Sequence, residues 1–241
     1  MNKENSTAFS QYLSPTETLD FDNPAVAAYA VRVLEDADTP KEKAVRLYYA
    51  VRDEIRYDPY YPFYKQVHYR ASVTVASRRG FCISKAAFLA ALCRYAGIPA
   101  RIGFADVKNH LATENLLRHL GTDRFVYHGF TEMYLNGKWV KATPTFNKEL
   151  CERHNADALE FDGENNAVFQ SFNRDNELYM EYLAVHDSHA DVSVDLVLKS
   201  WRAAYGEDRV SLWIDNLENI KLERDFDKET VVKSLSDIKN L

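Results

Sequence analysis

Apolar residues recur at helical spacing in two stretches near the start of the 241-residue chain. Asn23-Pro24 supplies a cap and a first-turn proline before the first stretch, and Thr39-Pro40 repeats this arrangement before the second. The pattern predicts helices over about 24–35 and 40–55. Residues 1–20 are polar without a clear period, and we expect them to form an arm.

The most apolar segment of the chain, 81–95, is rich in Ala and Leu, and its apolar residues nearly encircle a helix. Gly80 precedes the segment, and Gly97 and Pro99 follow it, as is typical of a helix end. The pattern therefore predicts a central, buried helix with Cys82 at its start.

Aromatic and β-branched residues flank Asn136-Gly137, which is typical of a hairpin with a two-residue type I′ turn. Leu135 should then pair with Lys138. Extending that register outward places His128 opposite Thr145, with Thr143 and Asn147 as diagonal neighbours on the same face. This extension assumes that the hairpin contains no bulge.

The remaining segments give weaker patterns. Residues 57–69 are aromatic and interrupted by prolines, so they form either a loop packed on the core or a wall of a substrate cleft. We expect a short helix within 106–123, a loop over 151–175, a strand over 178–185, and helices around 195–205 and 227–241. The chain is expected to be one domain over 1–241, with its core at about 20–150 and an extension at 151–241 packed on it.

Composition narrows the function classes. There are 30 Lys and Arg against 36 Asp and Glu, a net charge of −6 with the two signs interleaved. This argues against a nucleic-acid partner, which needs a basic patch. No apolar run approaches the length of a membrane span or a secretion signal, so we expect no membrane association and a cytoplasmic location. The three cysteines are an odd number without paired spacings, as expected of reduced thiols.

Cys82 is the candidate nucleophile because the positive end of a helix favours thiolate and its free N–H groups can bind an oxyanion. A histidine on a facing strand, such as His128, would complete a thiolate-imidazolium pair. Spacing alone does not show that the two meet, and a buried cysteine also serves as a small apolar filler.

Two motifs resemble the transglutaminase-like superfamily. Arg79-Gly80-Phe81-Cys82, with Gly97-Ile98-Pro99-Ala100-Arg101 after the helix, looks like its nucleophile helix, and His128-Gly129-Phe130-Thr131-Glu132 looks like its histidine hairpin. The resemblance covers about residues 20–150. It implies an α+β, papain-like fold in which the nucleophile helix packs on an antiparallel sheet.

The resemblance also implies site roles: Cys82 attacks a carbonyl, and His128 acts as base and then acid. The family usually has an aspartate 15 residues after the histidine, and this chain has Thr143 there. Three alternatives follow: Thr143 orients the imidazole weakly, Asn147 does so as in papain-like sites, or catalysis has been lost. Tyr64, Gln66 and His68 are candidates for the upstream oxyanion donor that the family places there.

The expected function is a thiol enzyme acting on peptide or protein amides through an acyl-thioester. Water would resolve it in a protease or amidase, the reaction at least as plausible in bacterial-type relatives, and an amine would resolve it in a crosslinking acyltransferase. The alternatives are an inactive peptide-binding module and a metal-assisted hydrolase using His186 and His189. A low pKa of Cys82 is expected for the enzyme and an ordinary one for the module. No cofactor and no metal are expected, Cys93 should be an inert core thiol, and Cys151 gives no functional signal.

Overall fold

The computed structural model describes residues 9–110, 112–169, 171–219, 226–229 and 231–232. Its helices are α1 (Pro24–Leu34), α2 (Pro40–Glu54), α3 (Ala71–Ser77), α4 (Cys82–Tyr95), α5 (Glu114–Leu120), α6 (Lys148–Arg153), α7 (Val194–Tyr205) and α8 (Glu207–Asn219). Its strands are β1 (Arg56–Tyr57), β2 (Arg79–Gly80), β3 (Ala100–Asn109), β4 (Arg124–Leu135), β5 (Lys138–Ala142) and β6 (Met180–Val185). Single turns of 3₁₀ helix lie at Ser10–Tyr12, Gln66–Tyr69 and Phe226–Lys228.

The first two predicted helices are confirmed, and their caps form as expected. The Asn23 side chain accepts a hydrogen bond from the Ala25 N–H at the start of α1. Thr39 and Glu42 form a reciprocal capping box at the start of α2. Each helix has its proline in the first turn, where the missing N–H has no partner to lose.

The main sheet has four antiparallel strands in the order β5-β4-β3-β6. The predicted hairpin is confirmed: Asn136 and Gly137 have φ of 50° and 85°, and Leu135 pairs with Lys138. The predicted register holds outward to the pair of Thr131 and Ala142, where β5 ends. A second, two-residue sheet pairs β1 with β2 in parallel.

Helix α4 is the centre of the core, as predicted. Every residue from Ile83 to Arg94 is buried, and the helix packs on β4, β3 and α2. The buried Lys85 ammonium donates to the carbonyls of Arg52 and Ile55, so it satisfies backbone groups at the end of α2. The α+β class, with a nucleophile helix on an antiparallel sheet, is therefore confirmed.

The predictions for the second half of the chain are less accurate. Helix α7 and strand β6 are confirmed, but α6 extends into the segment expected to be a loop and α8 was not predicted. Most of the helix predicted over 227–241 lies outside the described residues, and its described start is a 3₁₀ turn. Part of the predicted arm, 1–8, also lies outside them, while the ring of Tyr12 packs on Trp139.

The largest buried apolar cluster contains residues from Leu19 to Phe226, so it draws on both the expected core and the expected extension. The assignment of all 241 residues to one domain stays a prediction. Within the described residues, no helix combines the length and the apolar character that a membrane span requires.

Candidate active site

Cys82 is the first residue of α4 and is half-buried, while Ile83 to Arg94 are buried. The sulfur lies near the backbone N–H groups of Cys82, Ile83 and Gly129, each of which lowers the pKa of the thiol. Two of these groups belong to the helix N-terminus and the third belongs to β4. The sulfur therefore lies between the nucleophile helix and the strand that carries the candidate histidine.

Close packing between Ile83 and Gly129 determines how near β4 lies to the start of α4. A Cβ atom built on Gly129 would lie 2.8 Å from the Ile83 Cα, which is closer than real Cβ atoms approach a backbone. Only glycine permits β4 to come this near to α4. The residue next to His128 thereby determines how closely the histidine strand approaches the cysteine.

Cys82 and His128 line the same cavity, whose volume is about 70 Å³. The other lining side chains are mostly apolar or aromatic and come from almost the whole length of the chain: Tyr57, Pro59, Phe63, Phe81, Val107, Leu116, His119, Leu120, Phe125, Val126, Thr145, Phe146, Phe169, Met180, Trp201, Tyr205 and Trp213. The structure thus brings the two main candidate residues together. It also favours the cleft-wall interpretation for three members of the aromatic segment, namely Tyr57, Pro59 and Phe63.

Burial controls the charge state of both residues. It raises the pKa of Cys82 to about 11, although the three backbone N–H groups lower it in part. It lowers the pKa of His128 to about 3. The unliganded site therefore holds a neutral thiol and a neutral imidazole at pH 7, and the expected low pKa of Cys82 is not what this environment produces.

The structure does not bring Thr143 or Asn147 to the imidazole. Because β5 ends at Ala142, the chain turns toward Ala167, whose carbonyl accepts from the Thr143 N–H. Thr143 lines a second, smaller cavity, and both its Oγ1 and the Nε2 of His128 are buried without a hydrogen-bond partner among the described residues. Thr143 is thus not bonded to His128 in this structure.

Asn147 is occupied elsewhere. Its Oδ1 accepts from the Tyr57 N–H at 2.7 Å, and its Nδ2 donates to the carbonyls of Arg52 at 2.6 Å and Ile55 at 2.9 Å. These bonds use both amide hydrogens to join α6 to the end of α2. The expectation that Asn147 orients His128 is therefore not supported by the contacts, which are those of a structural residue.

Thr145 is the polar residue that lies in the cavity with His128. Its Oγ1 is also buried without a partner among the described residues. The hairpin register, extended past Ala142, had placed Thr145 opposite His128; the strand pairing ends at Ala142, but the two residues do line the same cavity. Thr145 was not among the predicted site residues.

The three oxyanion candidates lie outside the cavity lining. The Gln66 amide donates to the Val192 carbonyl at 2.7 Å, Tyr64 packs on His68, and Lys65 lies over the Tyr64 ring. Burial lowers the pKa of His68 to about 4.

Tyr57 occupies the upstream position instead. It lines the cavity, and its backbone pairs with Gly80, two residues before the nucleophile. Burial raises the pKa of the Tyr57 phenol, and the nearby Cys82 raises it further, so the hydroxyl keeps its proton and can donate it in a hydrogen bond. The proximity of β1 to β2, which no sequence pattern indicated, places Tyr57 there.

A β-bulge next to His128 is a second feature that the sequence did not predict. Ala105 pairs with His128 and Val107 pairs with Phe125, so β4 has one residue more than β3 in this interval. Tyr127 lies in the bulge with φ of 59°, a conformation that is uncommon for a bulky residue. As a consequence, Phe125 and Val126 both reach the cavity that His128 lines.

Asp106 and the C-terminal helix α7 hold the bulge. Asp106 Oδ1 accepts from the Tyr127 N–H at 2.9 Å and lies 2.8 Å from His186 Nε2. Trp201 donates to the Val126 carbonyl, and the Tyr205 hydroxyl accepts from the Val126 N–H. The extension beyond residue 150 therefore supports the histidine strand and contributes cavity walls.

The remaining candidates are placed as follows. Cys93 is buried in α4, and burial raises its pKa, consistent with the predicted core thiol. Cys151 is buried in α6, where burial raises its pKa to about 11. His186 pairs with Asp106, and the His189 backbone pairs with Ile102. Among the described residues, no three His, Cys, Asp or Glu side chains are grouped as a metal site would need.

The fold and these positions define a class: an α+β protein with a cysteine at the start of a central helix and a histidine on the facing antiparallel sheet. Residues 27–144 match the sequence model described as the transglutaminase-like superfamily. This match covers the region that carries both motifs and confirms the resemblance that they indicated.

The chain matches no curated protein. Among solved structures, it is similar to a protein from Cytophaga hutchinsonii described as a candidate cysteine protease, with 16% sequence identity and a TM-score of 0.45. The similarity covers 78% of this chain and 55% of that protein.

Proposed function

We propose that this protein is a thiol enzyme that cleaves an amide of a peptide or protein substrate through an acyl-thioester on Cys82. The observation that carries the proposal is that Cys82, at the start of α4, and His128, on β4, line one cavity although 45 residues separate them in sequence. An apolar filler cysteine needs no histidine on the opposite wall.

The proposed chemistry begins from the neutral pair. As the Cys82 sulfur attacks the carbonyl carbon, the thiol proton passes to His128, which burial keeps unprotonated before the attack. The carbonyl oxygen becomes an oxyanion, for which the N–H groups at the helix start and the Tyr57 hydroxyl are the donors. His128 then gives its proton to the departing amine as the C–N bond breaks.

The thioester is resolved by an acceptor. Water attacks the acyl carbon with His128 taking its proton, and the thiol is regenerated with release of a carboxylic acid. An amine in place of water gives a new amide. Hydrolysis and acyl transfer thus share every residue in the proposal and differ only in the acceptor.

The test is the alkylation rate of Cys82 by iodoacetamide between pH 4 and 9, with the adduct located by peptide mass spectrometry. We expect His128→Gln to lower the rate at pH 7 at least tenfold, a typical contribution of a positioned base being roughly 10²–10⁴-fold. Because burial lowers the pKa of His128 to about 3, the wild-type rate should change little from pH 5 to 8.

His154→Gln is the matched control. His154 is also a histidine whose pKa burial lowers, to about 4, but it packs on Phe226 outside the cavity. It should leave the Cys82 rate unchanged. Equal rates for wild type and His128→Gln would contradict the proposed chemistry.

The second candidate is a binding module that has lost catalysis. It is favoured by Thr143, which stands where the family usually has aspartate, and by the cavity lining, which among the described residues includes no carboxylate. An alkylation rate of Cys82 that does not depend on His128, combined with retained binding of a peptide, would support the module.

A further inference from the structure

The cavity that Cys82 and His128 line is mostly apolar. Among the described residues, none of its lining side chains is Asp, Glu, Lys or Arg. Much of its apolar wall comes from Phe63, Leu116, Trp201 and Trp213, which belong to the loop after β1 and to helices α5, α7 and α8. A group that enters the cavity is surrounded by apolar surface next to the thiol.

The polar groups on the wall differ in their contacts: the Thr145 hydroxyl has no hydrogen-bond partner among the described residues, whereas the Tyr205 hydroxyl and the His119 ring are engaged. The Tyr205 hydroxyl accepts from the Val126 N–H and donates to the Arg124 carbonyl. The His119 ring stacks on Trp213 at 4.5 Å between centroids and meets the edge of Tyr60. The described lining offers no ionised Asp, Glu, Lys or Arg side chain, so a charged group placed there would lose its water without gaining an ion-pair partner, which disfavours it.

The size of the cavity sets a second limit. Its volume of about 70 Å³ is well below that of an engineered apolar cavity of roughly 150 Å³ that admits benzene. A short alkyl chain fits this space, while an aromatic ring requires the walls to move. Burying the alkyl chain is favourable because it removes apolar surface from water.

We propose that this cavity is an acyl pocket that selects a short, uncharged aliphatic group on the carbonyl attacked by Cys82. The inference rests on the proposed function and names its substrate class: acyl donors with an uncharged chain of a few carbons, as opposed to donors whose chain ends in a charged group. Substrate binding next to the thiol is then driven by burial of that chain.

The first experiment measures acylation of Cys82 by p-nitrophenyl acetate, butyrate and hemisuccinate, from p-nitrophenolate release and the mass of the Cys82 peptide. Butyrate and hemisuccinate have four-carbon acyl groups, but the latter ends in a carboxylate. We expect butyrate to react at least tenfold faster than hemisuccinate. Equal rates, after correction for the reactivity of each ester toward free cysteine, would overturn the pocket.

Two adjacent leucines of α5 provide a matched pair of variants. Leu116 lines the cavity, whereas Leu117 is buried to the same extent in a different apolar cluster. Leu116→Phe should lower the ratio of the butyrate rate to the acetate rate at least fivefold because it shortens the pocket. Leu117→Phe should leave that ratio unchanged, and thermal melting checks that both variants fold.

A protection experiment tests the pocket without any catalytic step. Butyramide should slow alkylation of Cys82 by iodoacetamide, and succinamate at the same concentration should not. Protection by both compounds or by neither would overturn the pocket. Failure of the proposed function is recognised separately, as an alkylation rate that His128→Gln leaves unchanged.

Discussion

At the scale of single residues, burial changes the pKa of Cys82 more than the N–H groups at the start of the helix do, and it also determines the pKa of His128. The N–H groups around the sulfur favour the thiolate, yet the net pKa of Cys82 rises to about 11 because the surroundings are apolar. The same burial lowers the pKa of His128 to about 3. A substrate carbonyl that enters the cavity therefore meets a neutral thiol and an unprotonated base.

Thr145 permits a stability prediction at this scale. Its hydroxyl is buried in the cavity without a partner among the described residues, which is unfavourable relative to an apolar group of the same shape. Thr145→Val should therefore raise the free energy of unfolding by about 1 kcal/mol. Urea unfolding at pH 7 measures this. Thr145→Ser, which keeps the hydroxyl and loses the methyl group, should be destabilised instead.

Cys82 and His128, which line one cavity, could be proposed as a pair from the sequence because their motifs are local. Gly80-Phe81-Cys82 and His128-Gly129 each lie at one element end or within one strand. Thr143 and Asn147 were proposed from the family pattern and from papain-like sites, with support from the hairpin register, and that register stops at Ala142 because the chain leaves the sheet there. No local sequence pattern indicates where the pairing of two strands ends.

At the scale of elements, the bulge in β4 is a strained feature that other groups hold in place. A tyrosine at positive φ is unfavourable by roughly 1–3 kcal/mol, and Asp106 offsets this by accepting the Tyr127 N–H. The Tyr127 ring also stacks on Phe104, with centroids 4.1 Å apart. Tyr127 and His186 line a separate pocket, whereas His128, the next residue of β4, lines the cavity with Cys82.

Asp106 is thus a positioning residue, and two variants test this. Asp106→Ala removes the acceptor of the Tyr127 N–H, so we expect the His128-dependent alkylation of Cys82 at pH 7 to fall at least fivefold. Asp106→Asn retains an amide oxygen and should restore most of the rate. The pH profile of alkylation is the readout. Equal losses in the two variants would show that the charge beside His186, and not the bond to Tyr127, matters.

Helices and strands could be predicted where capping or turn residues mark their ends. Asn23-Pro24 and Thr39-Pro40 define α1 and α2, and Asn136-Gly137 defines the hairpin turn. Helix α8 follows Gly206 directly, so neither a first-turn proline nor a capping side chain predicts where it begins. The bulge at Tyr127 depends on contacts with β3 and α7, which are distant in sequence.

At the scale of the whole molecule, three buried or half-buried histidines make folding sensitive to acid. Burial lowers the pKa of His68 and His154 to about 4 and that of His128 to about 3. Below an ordinary histidine pKa of about 6.5, the unfolded chain binds protons that the folded protein does not. The free energy of unfolding should therefore fall as the pH drops from about 6.5 toward 4.

For His128 alone, the expected loss between pH 7 and pH 5 is about 2 kcal/mol, since each pH unit below 6.5 contributes about 1.4 kcal/mol. Urea unfolding at the two pH values measures it. His128→Gln should reduce the difference between them by about that amount. A difference that is the same in wild type and His128→Gln would mean that the imidazole is not kept neutral by the fold.

The sequence did not reveal that the C-terminal extension helps to build the site. Trp201, Tyr205 and Trp213 have helical spacing, which indicates an apolar face but not the surface that it covers. Only the folded chain places these rings in the cavity and on the backbone of Val126.

The cavity walls come from distant parts of the sequence, and this affects the exposure of Cys82 while the chain folds. The walls begin at Tyr57 and end at Trp213, so Cys82 is not enclosed until α7 and α8 have docked. Until then the thiol is open to peroxide and to other thiols, and its surroundings do not yet raise its pKa. Oxidative damage to Cys82 should therefore occur mainly in newly made or refolding chains, and the mature protein should be comparatively resistant.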